Sequence, residues 1–149
     1  MRITDIPGLL YLWKYENLYL AGQPSADSWE AIKNLGIKRV INLRDEAEMD
    51  FSEEKELLNN LGIEYIQFPI VINGQLSPEN CERLNNLIKD EKDQNQFIHC
   101  GSANRVGGWL MTYLVNHCGV SFDDAVDIAQ QNGLSNPGFV YQAQQIVEK

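Results

Sequence analysis

Gln96-Phe97-Ile98-His99-Cys100-Gly101-Ser102-Ala103-Asn104-Arg105-Val106-Gly107-Gly108 is the stretch from which the fold can be read. Phe97 to Cys100 form an apolar run short enough for one buried strand. A loop begins on Cys100 and ends on Arg105, with Gly101 to Asn104 between them. From Arg105 to Cys118, the apolar residues Val106, Trp109, Leu110, Tyr113 and Leu114 recur at helical spacing. The layout places a thiol at the carboxyl end of a strand and in front of a helix N-terminus. Free amides and the helix dipole there attract anions, and the same field favours a thiolate over a thiol. Arg105 adds a planar fork that can hold two oxygens of a phosphate-like group. The spacing therefore predicts a bowl of backbone around a tetrahedral dianion, with the sulfur at its floor and open to substrate.

Outward from this stretch, apolar runs alternate with amphipathic ones. Asn17-Leu18-Tyr19-Leu20-Ala21-Gly22, Ile37-Lys38-Arg39-Val40-Ile41-Asn42-Leu43-Arg44 and Ile63-Glu64-Tyr65-Ile66-Gln67-Phe68-Pro69-Ile70 read as strands. Helices are predicted over 26–35, 52–61, 78–92, 121–131 and from Asn136-Pro137 onward, and residues 1–16 read as irregular. Strand and helix alternate, so parallel pairing is expected. The fold class is α/β: three layers, with a mainly parallel central sheet of about four to five strands flanked by helices. In such sheets ligands bind beyond the carboxyl ends of the strands. Arg44 and Cys100 both sit at such ends. Arg44 is open to two readings, substrate contact or an ion pair with Asp45 or Glu48. Gly22 and Gln23 are likewise open to a plain turn or a ligand contact.

At 149 residues, one domain over 1–149 is expected. A chain of this length buries roughly 70% of its unfolded surface. Its net charge of −9 disfavours partners that need a basic surface, nucleic acid or an anionic membrane. An anionic substrate must then find a locally positive site. No apolar run approaches the ~20 residues of a membrane span, and no signal peptide is apparent. Cys81, Cys100 and Cys118 lack disulfide-framework spacing, which suggests reduced thiols in a cytoplasm. No Cys/His spacing suggests a metal, and no cofactor is called for. Cys81 reads as a core residue, and His117 and Cys118 as structural.

At His99-Cys100, the short loop and Arg105, the chain resembles the cysteine-based phosphatase superfamily of tyrosine and dual-specificity phosphatases. A loop of four residues, with Ala21-Gly22-Gln23-Pro24 and Val40-Ile41-Asn42-Leu43-Arg44 upstream, is similar to a bacterial branch, the beta-lactamase-hydrolase-like phosphatases. The resemblance runs from about Leu18 to Gly108. It implies a dual-specificity-phosphatase-like fold and hydrolysis of phosphate monoesters through a phosphocysteine. Cys100 and Arg105 would be catalytic. Gly101, Ser102, Ala103, Asn104 and Arg44 would bind phosphate, and His99 would support the loop. The partner implied is a phosphorylated protein or a small-molecule phosphate ester.

The chain departs from the family pattern at four places. The loop is one residue short. Ala103 replaces a glycine, so a positive φ there would be strained. Val106 replaces a Ser or Thr that helps the thiolate leave; Ser102 could substitute only if its hydroxyl points inward. The loop 71–79 contains no Asp to protonate the leaving group, a loss of about 10²–10⁴ in rate. These departures imply slow turnover with aryl esters favoured. They also keep two other readings open: a rhodanese-like sulfurtransferase, or a non-catalytic phosphate- or phosphoprotein-binding module.

Overall fold

A computed structural model of the chain describes residues 1–148. The central sheet has five strands: β1 (Leu12–Tyr15), β2 (Leu18–Ala21), β3 (Arg39–Asn42), β4 (Glu64–Gln67) and β7 (Gln96–His99), in the order β1-β2-β7-β3-β4. β2, β7, β3 and β4 run parallel, and β1 is antiparallel to β2. A two-stranded hairpin, β5 (Val71–Ile72) and β6 (Gln75–Leu76), stands apart. The helices are α1 (Trp29–Lys33), α2 (Ser52–Asn60), α3 (Pro78–Asp90), α4 (Asn104–Cys118), α5 (Phe122–Gln131) and α6 (Pro137–Val147).

The strands alternate sides, which builds two cores. Leu18, Leu20, Ile41 and Ile98 face α3, α4, α5 and α6; Tyr19, Ala21, Val40 and Phe97 face α1, α2 and the N-terminal residues. α4 lies at the centre of the larger core, with Trp109, Leu110 and Met111 fully buried. Burial of each such side chain stabilises by about 1.5–3 kcal/mol. Helix starts follow their sequence signals. Ser77 accepts from the Asn80 amide, Ser121 from Asp124 and Asn136 from Gly138. Ser25 caps a short 3₁₀ turn over Ala26–Ser28 that leads into α1.

Residues 1–16 are not irregular throughout, because β1 occupies Leu12–Tyr15 and adds an antiparallel edge. The turn to β2 is tight, with Glu16 at φ 52°. The loop after β4 contains a hairpin, with Asn73 (φ 53°) and Gly74 (φ 78°) at its tip. Gly107 and Gly108 permit close packing, but not against the sheet. A β-carbon on Gly107 would stand 2.9 Å from Leu134, and one on Gly108 3.1 Å from Leu76 and Phe139. The space belongs to the hairpin and to the segment that carries α6.

Register decides where the site forms. Ala21 pairs with His99, His99 with Asn42, and Asn42 with Gln67. The carboxyl ends of four parallel strands thus share one row. The segments beginning Gly22-Gln23, Cys100 and Leu43-Arg44 all leave the sheet from that row.

Candidate active site

Cys100 follows the last residue of β7, and its amide donates to the Ala21 carbonyl at 3.2 Å. Beyond it, the Gln23 amide donates to the Gly101 carbonyl at 3.0 Å. Gly22 makes this approach possible, since a β-carbon there would lie 2.8 Å from the Gly101 oxygen. Gly22→Ala should therefore cost about 1–3 kcal/mol through a forced backbone shift. It should also lower turnover, because the loop moves with the strand; a denaturant melt and a kcat measurement check both. Unchanged stability would mean that the two backbones can part freely.

The loop closes at Ala103, which has φ 73° and ψ −2° and precedes the first residue of α4. A left-handed alanine costs roughly 1–2 kcal/mol. Its fully buried methyl returns part of that, about 0.8 kcal/mol. Among the described residues, the amides of Gly101, Ser102, Asn104, Arg105 and Val106 donate to no protein group. They remain free for an anion at the N-terminus of a long helix. Gly101 and Ser102 are exposed.

Two side chains of the loop have partners of their own. The Asn104 carbonyl oxygen accepts from the Ser135 and Asn136 amides at 2.7 and 2.8 Å, and its amide donates to Ser102 Oγ at 3.2 Å. This side chain ties the start of α4 to the turn before α6, so only its backbone is left for phosphate. Ser102 Oγ is exposed and accepts from Asn104.

His99 is fully buried beside Trp29 and Phe97. Its Nδ1 lies 3.4 Å from the Cys100 carbonyl, and its Nε2 lies 2.9 Å from Glu54 Oε2. Burial raises the Glu54 carboxyl, but His99, Gln23 and Tyr65 outweigh it and hold the group below its ordinary value. Glu54 is therefore a carboxylate, and His99 Nε2–H donates to it. Gln23 Nε2 donates to Glu54 Oε1 at 2.7 Å, and Gln23 Oε1 accepts from Arg44 Nη1 at 3.1 Å. Gln23 is thus more than a plain turn residue. It couples the three motifs that share the row.

Arg44 forms the ion pair with Glu48. Its Nε donates to Glu48 Oε1 at 3.1 Å, and its amide donates to Asn42 Oδ1 at 2.9 Å. Arg105 grips the same carboxylate with both fork nitrogens, Nη1 to Oε2 at 2.6 Å and Nη2 to Oε1 at 2.7 Å. The Arg105 bond is the largest cause that holds the Glu48 carboxyl down to about 2, against partial burial. Glu48 in turn raises the Arg105 pKa, with smaller contributions from the Cys100 and Asp45 charges. A thiolate at Cys100 would therefore sit within electrostatic reach of Arg105. Cys100 itself is 1% exposed, so the sulfur is covered in this conformation.

Glu48 and Glu54 are the functional-site residues that the sequence reading missed. Both lie in an acidic segment that resembles a solvated loop and helix start. Glu54 carried one signal: it precedes Leu58 by four residues, so the face of α2 that buries Leu58 buries Glu54 too. Glu48 stood in the sequence only as one of two ion-pair candidates for Arg44; its contact with Arg105, across 57 residues of chain, has no local pattern. Cys81 is buried, and that burial pushes its thiol up to about 12, fitting a core role. His117 pairs with Glu82 at 2.6 Å. Among the described residues, no group of three or more metal-ligating side chains is gathered.

The fold recurs in solved structures. A DUF442 protein from Shewanella putrefaciens CN-32 is 19% identical, with a TM-score of 0.73 over 94% of this chain and 88% of that one. TpbA from P. aeruginosa is 17% identical, with a TM-score of 0.72 over 95% and 90%; a cysteine-to-serine form of TpbA is solved in complex with pTyr. PTPMT1, solved in complex with PI(5)P, is 17% identical, with a TM-score of 0.75 over 93% and 95%. No sequence among curated proteins matches this chain. The family described as "DSP-PTPase phosphatase fused to NAD+ Kinase" matches residues 14–143, nearly the whole chain. With Cys100 and Arg105 joined by a loop of free amides, this match makes the chain a member of that DSP-PTPase family, within the cysteine-based protein phosphatase superfamily.

Proposed function

We propose that this chain, as a single phosphatase domain, hydrolyses phosphate monoesters through Cys100 and favours aryl esters such as phosphotyrosine. The observation that carries this reading is the run of unpaired amides between a cysteine at a strand end and an arginine in the first helical turn. Cys100 Sγ attacks phosphorus as the ester P–O bond breaks, and an aryl leaving group departs as the phenolate, which takes its proton from solvent. Water then attacks the phosphocysteine, the S–P bond breaks, and phosphate and thiolate are released. The loop amides and Arg105 hold the equatorial oxygens throughout, so catalysis is positioning and electrostatics.

The loop 71–79, where an acid would be expected, holds no Asp: Asn73 stands exposed at the hairpin tip, and Glu79 lies in the first turn of α3. A phenolate leaves without protonation far more readily than an alkoxide. Neighbours solved with pTyr and PI(5)P make a phosphate-ester partner reasonable for this chain. The missing acid favours the aryl class over the alkyl one. The family match favours hydrolysis over sulfur transfer. Cys81, Cys100 and Cys118 are all free thiols, which supports a reducing compartment such as the cytoplasm. No helix among the described residues is long and apolar enough to cross a membrane.

The test compares matched phosphotyrosine and phosphoserine peptides alongside p-nitrophenyl phosphate. The expected ratio in kcat/KM is about 10²-fold or more for the aryl substrate. Equal rates on the two peptides would refute the preference. Absence of turnover on all three, with thiosulfate–cyanide activity in its place, would refute the hydrolase.

A further inference from the structure

We propose that Glu48 determines which anions enter the site, because its carboxylate occupies the Arg105 face that a phosphate monoester must take. The inference rests on the reading of loop 100–105 as a phosphate bowl. Two carboxylate oxygens on two fork nitrogens reproduce the pairing that a phosphoryl group makes with an arginine. Arg105 therefore cannot offer this end-on fork to a substrate until Glu48 leaves. The covered thiol fits the same state: Cys100 is 1% exposed while Arg105 is turned to Glu48.

Glu48 has somewhere to go. Arg44 Nε already holds its Oε1 at 3.1 Å. The segment around it is irregular, with Glu46 and Ala47 exposed, and the Asp45 amide, which donates to Glu48 Oε2 at 2.8 Å, can follow the carboxylate toward Arg44. When Arg105 turns to a phosphoryl group, Arg44 retains the carboxylate at the rim.

The exchange discriminates by charge and oxygen count. A phosphate monoester dianion presents three oxygens and gains Arg105 together with the free amides of the loop, whereas the Glu48 carboxylate bonds to none of those amides among the described residues. It can therefore outcompete a tethered carboxylate. A phosphodiester has one charge and an ester group in place of one oxygen, so it gains less and remains excluded.

The experiment titrates tungstate, a dianion that needs no chemistry, into wild type, Glu48→Gln and Asp45→Asn at pH 7. Asp45 also acts on Arg105 by charge, so it controls for the loss of a nearby negative charge. Glu48→Gln should tighten tungstate binding about tenfold or more, and Asp45→Asn less than threefold. Bis(p-nitrophenyl) phosphate should bind Glu48→Gln measurably and wild type hardly at all. Wild-type crystals soaked in tungstate should show Glu48 off Arg105 and on Arg44. Equal tightening in both variants, no tightening in Glu48→Gln, or a soaked crystal with Glu48 still on Arg105 would each overturn the inference. If no form binds tungstate, the phosphate bowl itself is refuted, a separate result. The soak needs no variant, so a poorly folded Glu48→Gln leaves the inference testable.

Discussion

Cys100→Ser should reduce turnover of p-nitrophenyl phosphate to background, a loss of about 10⁴-fold or more. Tungstate affinity should stay within about threefold. The two outcomes separate because two sets of atoms are involved. The sulfur alone forms the covalent bond to phosphorus, and a serine hydroxyl in the same place is a far weaker nucleophile. Anion binding depends on the unpaired loop amides and Arg105, which the substitution leaves in place. Ser is slightly smaller than Cys at a position 1% exposed, so the packing change is minor. A variant that kept a tenth of the wild-type rate would remove Cys100 from the chemistry. One that lost both turnover and tungstate binding would point to loop collapse instead.

Glu54→Ala is expected to destabilise the chain by about 3–5 kcal/mol, or roughly 6–20 °C in melting temperature for a chain of this size. Removal of the carboxylate leaves His99, fully buried, without its 2.9 Å partner. It also frees Gln23, whose amide then has no reason to keep its oxygen toward Arg44. Glu54→Gln should be milder, about 1–3 kcal/mol. An amide offers one acceptor where both His99 Nε2–H and Gln23 Nε2–H donate, so one donor must face another. Both variants should lower kcat, because His99 immediately precedes Cys100 and its ring lies 3.4 Å from the Cys100 carbonyl, so a shift of the ring displaces the start of the loop. Melts and kcat together decide the matter. A Glu54→Ala variant within 1 kcal/mol of wild type would show that the pair is not structural.

The contrast between Cys100 and Glu54 marks what can be read in one dimension. The strand, loop and helix over 96–118 are legible because each step is local. Apolar residues suit a buried strand, a helical repeat follows, and a thiol and a guanidinium are the only groups at the junction suited to phosphoryl chemistry. The parallel sheet followed from alternating apolar runs, and Arg44 and Cys100 at strand ends pointed to one edge. β1 escaped because four residues of half-exposed edge strand, LWKY, carry too little alternation to separate from the irregular chain before them.

The direction of side chains was not legible. Asn104 lies in the phosphate loop by position, yet its amide group is taken by Ser135 and Asn136, over thirty residues away. Arg44 could equally have met a substrate or an acid, and the folded chain gave it Glu48 and Gln23. The sequence by itself determined a cysteine at a strand end, an arginine at the start of the next helix and the layered α/β architecture, because local periodicity and residue chemistry suffice for those. Only the tertiary structure decided that Glu54 would brace His99 and that Glu48 would occupy Arg105. Those contacts depend on which strand ends share a row, and hydrogen bonds between distant segments leave no periodic trace in the chain that makes them.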